Sequence, residues 1–260
     1  LDDLLGSVLR IDIRDSTPEK PYVIPADNPF VELPNARPEL FAYGLRNPWR
    51  LTIDALTGQV WVGNNGQDLW ETVHLVRPGE NYGWSVYEGS HPFYINRKLG
   101  PHPLTLPTAE HPHSEARSIT GGVVYHGAKW PDLRGHYIYG DYETGKIWGI
   151  KHDGEKVVSH WELADTSLAI AGFATTNTGE LLVVDHAGGF YRLAPQPRIR
   201  QSAPFPTRLS ETGLFADTEA YEMKPGVIGY SVIASGWNDG ALAKRWMAVP
   251  GDERIGYNRG

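Results

Sequence analysis

The richest chemistry in the sequence lies between Phe41 and Trp84, in three short runs: Tyr43-Gly-Leu-Arg-Asn-Pro-Trp-Arg50, Gly63-Asn-Asn-Gly-Gln-Asp68 and Asn81-Tyr-Gly-Trp84. Each packs polar side chains where a loop meets a strand. Pro48 forces an extended or turned backbone on Asn47, so Arg46 and Asn47 project together from the loop. A rigid pair of donors of this kind can clamp a carbonyl or a carboxylate. The same pair could instead bond neighbouring carbonyls and only stabilise its own loop. His111 and His113, with Glu110 and Glu115 nearby, have the chemistry of metal ligands. They sit, however, in a stretch from Gly100 to His113 that carries four prolines, which reads as an exposed loop rather than a metal centre.

The elements that must position these residues are strands. The 260 residues include 29 Gly, 20 Pro, 9 Trp and 13 Tyr, the composition of short β-strands joined by tight turns. Sustained helical periodicity is hard to find. With 40% hydrophobic and 21% charged residues, the chain can bury a core. A net charge of −7 without a Lys/Arg cluster argues against a nucleic-acid partner and for a small molecule. No apolar run approaches the length of a membrane span. The absence of cysteine excludes disulfides, thiolate catalysis and zinc-thiolate sites within these residues.

One unit recurs. Thr57 to Asn64, Arg134 to Asp141 and Thr178 to Asp185 each open on a Gly turn, run through apolar and aromatic residues and end on Asn or Asp. A second pattern, at Gly6 to Asp12, Gly145 to Lys151 and Gly188 to Ala194, follows the last two copies within a few residues and forms hairpins with them. Strand-turn-strand units repeated at this spacing predict an all-β fold, a β-propeller, with about three blades in residues 1–195. Gly6 to Asp12 then reads as an outer strand whose inner partners would precede Leu1, so truncation at the N-terminus is expected. Residues 196–206 form a Pro-rich linker. Residues 207–260 are an incomplete C-terminal region, with a short helix capped by Ser210 and a strand over 226–233.

The motifs above, together with Ile24-Pro-Ala-Asp-Asn-Pro-Phe30, Ser118-Ile-Thr-Gly-Gly122 and Tyr139-Gly-Asp-Tyr142, occur in an order that resembles the glucose/sorbosone dehydrogenase family. Those are soluble quinoproteins that oxidise aldose-type sugars with pyrroloquinoline quinone (PQQ) and Ca2+. The resemblance implies a six-bladed propeller with PQQ over its axis. Arg46 and Asn47 match the pair that bonds the reactive quinone carbonyl. Gly66 and Gln67 match the two backbone carbonyls that hold the Ca2+, a hard cation suited to oxygen ligands. Tyr82 matches a further calcium site, whose acidic position ten residues earlier is here Thr72, with Glu71 one place before it. His126 takes the place of a basic cofactor contact, and an Arg-x-Arg pair falls on Ala169 and Ala171.

The family's catalytic histidine lies on an early blade that no residue here matches. The resemblance also implies a sugar substrate, an external electron acceptor and a periplasmic or secreted location. Two readings follow: part of a PQQ-dependent sugar dehydrogenase, or a non-catalytic carbohydrate- or protein-binding propeller that has lost the cofactor.

Overall fold

The computed structural model describes residues 1–195, 206–231 and 244–249. The chain forms two compact units, Leu1–Ala194 and Pro195–Gly260. In the first, β1 (Val8–Leu9) pairs with β2 (Leu40–Ala42), and β3 (Asn47–Ile53), β4 (Val60–Asn65) and β5 (Trp70–Val76) form a meander. A hairpin of β6 (Tyr87–Glu88) and β7 (His91–Pro92) follows, and β8 (Ala109–Pro112) returns to the far edge of β5. The second four-stranded antiparallel sheet is β9 (Ile119–Val124), β10 (Tyr137–Asp141), β11 (Ile147–His152) and β12 (Val157–Ala164). A three-stranded sheet, β13 (Ile170–Thr175), β14 (Leu181–Asp185) and β15 (Phe190–Tyr191), completes the unit.

The recurring motif becomes the second strand of each sheet, β4, β10 and β14, and the two expected hairpins form as β10–β11 and β14–β15. The Asp that ends the motif explains why a turn follows it. Asp141 Oδ1 accepts from the N–H groups of Glu143, at 3.0 Å, and Thr144, at 2.8 Å, and Gly145 (φ +72°) completes the turn in the left-handed region.

The motif strands are largely apolar before their closing Asn or Asp, and β10 is buried on both faces. Tyr137 and Tyr139 of β10 pack with Trp61, Val73 and Leu75 of the first sheet, whereas Ile138 packs with Ile170, Leu181 and Val183 of the third. Alternate side chains thus serve two different cores. The Trp61 and Tyr137 rings stack with centroids 4.8 Å apart and planes within 8°.

The first strands of the sheets, β3, β9 and β13, lie side by side and are tied by polar side chains. Thr52 Oγ1 donates to the Gly122 carbonyl at 2.6 Å, and one sheet further Thr120 Oγ1 donates to Ile170 at 2.5 Å. Repeating the same tie from blade to blade gives the radial arrangement of a propeller.

β1 pairs antiparallel with β2, downstream of it. Three expectations change. Residues 109–112, read as loop, form β8. In the second unit Ser210 lies inside a 3-10 turn, Leu209–Glu211, whose N-cap position is Arg208, with no side-chain cap. There β16 (Phe215–Asp217) pairs with β17 (Glu222–Met223), and β18 (Ile228–Tyr230) with β19 (Arg245–Met247). The strand expected over 226–233 is thus shorter, and its residues 232 and 233 lie outside the described residues. So do residues 196–205 of the Pro-rich linker.

Candidate functional site

Asn47 opens β3 and Arg46 precedes it, on the inner edge strand of the first four-stranded sheet. Pro48 is tolerated there because an edge strand does not need every N–H. A bulge follows: Pro48 pairs with Asn64 and Arg50 with Gly63, so Trp49 is an extra residue that re-aims the side chains around it. The Asn47 N–H donates to Asn64 Oδ1 at 3.0 Å, and Arg46 Nε donates to Gln67 Oε1 at 3.0 Å. The guanidinium is therefore held against the loop that joins β4 to β5, and that bond uses one of its five N–H groups. The structure brings together Arg46, Asn47, Gly66 and Gln67.

Two buried carboxylates hold that loop from behind. Glu88, on β6, is 4% exposed and accepts from the N–H groups of Gln67, Asp68 and Leu69, the last two at 2.7 and 3.2 Å. Glu71, 1% exposed, accepts from the Gly66 N–H at 3.0 Å, Asn65 Nδ2 at 2.9 Å and the Ile119 N–H at 2.8 Å. A side chain at Gly66 has no room: its Cβ would lie 1.8 Å from the Trp70 carbonyl oxygen. A small cleft lined by Arg46, Gly66, Trp70, Trp84 and Glu88 opens beside them.

Behind Arg46 the interior is polar but neutral. Asn64 Nδ2 donates to Thr72 Oγ1 at 2.8 Å, and His74 Nε2 meets the same hydroxyl at 3.0 Å. Burial pushes the His74 imidazole down to about 3, and its Nδ1 has no partner among the described residues. The His74 ring packs on Tyr82 at 4.4 Å between centroids, and the Tyr82 hydroxyl donates to Glu80 at 2.6 Å. Thr72, at the acidic position of the second calcium site, thus spends its hydroxyl on Asn64 and His74, and Tyr82 bonds the Glu80 carboxylate.

Two further expectations separate in space. His126 Nε2 lies 2.6 Å from Oδ1 of the buried Asp54, in the turn after β3. Asp54 is seven residues beyond Asn47 along an extended strand, roughly 20 Å from it at about 3.3 Å per residue. His126 therefore belongs to the opposite end of the sheet from Arg46.

The carbonyl of Ala171 instead accepts from Arg50 Nη2 at 2.9 Å. Arg50 passes Gly121 of β9 at its Cβ, and its guanidinium lies over Gly172, whose Cβ would sit 3.5 Å from it, so a cation from β3 stands beside Ala171 of β13. Sequence reasoning gave Arg50 and Glu88 no role at this site and named Glu71 only as a neighbour of the second calcium position. Arg50 lay inside a run already singled out, whereas Glu88 had no local signal.

His111, expected in an exposed loop, is 2% exposed in β8. Its Nε2 lies 2.8 Å from the Tyr139 hydroxyl, which is 2.6 Å from His160 Nε2, and its Nδ1 is 3.2 Å from Glu115. With Glu115 accepting from Nδ1–H, Tyr139 donates to His111 and accepts from His160. Burial keeps both rings neutral, pushing His160 down to about 4. No group of three or more metal-ligating side chains occurs among the described residues.

HIPL1 protein of Arabidopsis thaliana is 35% identical over 168 residues, which cover 56% of this chain and 24% of that protein. Aldose sugar dehydrogenase YliI of Escherichia coli is 24% identical over 208 residues, 75% of this chain and 53% of its own length. The chain thus spans from about a quarter to about half of these relatives. A solved glucose dehydrogenase superposes with a TM-score of 0.56 at 25% identity, covering 73% of this chain and 53% of that one. The PQQ-bound aldose sugar dehydrogenase of Streptomyces coelicolor has the same fold, with a TM-score of 0.50 at 21% identity over 69% of this chain and 46% of its own. The family model for glucose/sorbosone dehydrogenase matches residues 1–193, and the chain belongs to that family.

Proposed function

We propose that the protein is the PQQ-binding part of a sugar dehydrogenase, with Arg46 and Asn47 facing the quinone and the backbone carbonyls of Gly66 and Gln67 holding Ca2+. One observation carries this reading: a 3.0 Å bond from Arg46 Nε to the side-chain Oε1 of Gln67 ties the donor pair to the loop whose backbone carries the two carbonyls. The residues fit the group. Arg46 and Asn47 offer N–H donors to a carbonyl oxygen. The Gly66–Leu69 loop spends its N–H groups on Glu71 and Glu88, leaving carbonyl oxygens for a hard cation. Arg50, with most of its donors beyond the bond to Ala171, adds a positive charge for a carboxylate of the ligand.

His126 and Tyr82 leave the proposed set, the first because it pairs with Asp54 at the other end of the sheet, the second because the acidic residue its site needs is here Thr72, whose hydroxyl is bonded to Asn64 and His74. When bound, the quinone supplies the acceptor for hydride from the anomeric carbon of an aldose. This chain's residues bind and orient that acceptor. The base that takes the hydroxyl proton is assigned to none of them.

Ala169 and Ala171 favour the second reading, a propeller that binds carbohydrate or protein without the cofactor. Titrating the protein with PQQ in the presence of Ca2+ separates the two. Ca2+-dependent PQQ binding that weakens at least tenfold in Arg46→Ala is expected, because that change removes a charged donor to the quinone carbonyl. No PQQ binding with Ca2+ present would refute the cofactor-binding reading and leave the second.

A further inference from the structure

Four consecutive N–H groups, from Gly66 to Leu69, end on buried carboxylates. Gly66 donates to Glu71, and Gln67, Asp68 and Leu69 donate to Glu88. In a planar trans peptide the N–H and the C=O point in opposite directions. The Gln67 and Asp68 N–H groups share their peptide units with the Gly66 and Gln67 carbonyls. Because both N–H groups converge on Glu88 Oε1, both carbonyls turn to the opposite side. Successive amides usually gather around an external anion. Here the anion is internal, and the oxygen side of the loop faces outward.

The second sheet shows what differs at this one. In the turn after β10, the strand's own Asp141 accepts the turn N–H groups. The corresponding residue of β4 is Asn64, which has no charge, and its amide is spent on Asn47 and Thr72. The carboxylate comes instead from Glu88, 20 residues after Asp68, by way of the β6–β7 hairpin. Gly66 belongs to the same device, since its missing Cβ would fall 2.8 Å from Glu88 Oε1.

We infer that Glu88 is a positioning residue, an internal counter-anion that fixes the β4–β5 loop with the Gly66 and Gln67 carbonyls paired outward as a preformed seat for a hard divalent cation. The inference rests on the calcium reading above and adds to it the residue that makes the loop selective for a cation. Glu88 does not touch the cation. It removes the positive ends of the peptide dipoles from the site and leaves the negative ends displayed, with Glu71 adding a second negative charge behind them.

Terbium luminescence, excited through the tryptophans and displaced by Ca2+, tests this on the cofactor-free protein. The wild type is expected to give a saturable signal that Ca2+ competes away. Glu88→Gln, with the far-ultraviolet dichroism of the wild type, is expected to bind Ca2+ at least tenfold more weakly. If folded Glu88→Gln binds Ca2+ as tightly as the wild type, Glu88 is a structural cap only and the inference falls while the calcium reading stands. If the wild type itself shows no Ca2+-displaceable signal, the calcium reading falls and takes the inference with it.

Should Glu88→Gln not fold, amide exchange on the wild type decides. The N–H groups of residues 67–69 are expected to exchange slowly without any cation. Rapid exchange that slows only on adding Ca2+ would contradict a preformed seat.

Discussion

His74 lies fully inside the first four-stranded sheet, where burial keeps its ring neutral by pushing its pKa from 6.5 down to about 3. In the unfolded chain the same ring takes up a proton as pH falls below about 6.5. The unfolded state therefore binds more protons between the two values, so stability from this group is complete above about 6.5 and is lost as pH falls toward 3. The loss is about 1.4 kcal/mol per pH unit in that window. His111 and His160, lowered for the same reason, add the same sign. Urea unfolding of His74→Gln at several pH values between 4 and 7 is expected to show a shallower decline than the wild type. An unchanged slope would place the acid sensitivity elsewhere.

At the scale of elements, the strands are cut from runs whose alternate side chains enter two different cores. Tyr137 shows the cost of a gap: it is fully buried and stacks on Trp61 between the first and second sheets. Tyr137→Ala is expected to lower unfolding free energy by about 3–5 kcal/mol, the range for truncating a buried aromatic, as read from urea denaturation. A loss under about 1 kcal/mol would mean that the two sheets do not share this core.

These strands were legible in the sequence because a doubly buried strand is continuously apolar, and Gly and Asp mark its ends. Arg46 and Asn47 were legible as polar residues where a loop meets a strand, and Gly66 and Gln67 only through the family resemblance. What stayed hidden was pairing over distance. Glu88 reaches its loop from 20 residues away, and Asp54 meets His126 across 72. Arg50 meets Ala171 across 121. β8 was masked by prolines at Pro107 and Pro112, which flank or end the strand without removing an N–H from its middle.

At the scale of the molecule, the unit Leu1–Ala194 carries the propeller sheets, the shared cores and the candidate site, and the family match ends within it, at residue 193. The inner strands β3, β9 and β13 line up polar groups from successive blades, with Arg50 reaching from the first to the third. A ligand lying over that row would meet Arg46 and Asn47 at one end of β3 and Arg50 farther along it. The two guanidiniums suit an acidic quinone better than a neutral sugar. Calorimetric titration of the protein with PQQ, with and without Ca2+, tests this most directly. Binding of one PQQ per chain that requires Ca2+ and weakens in both Arg46→Ala and Arg50→Ala is predicted. No heat of binding with Ca2+ present, or binding indifferent to both arginines, would contradict it.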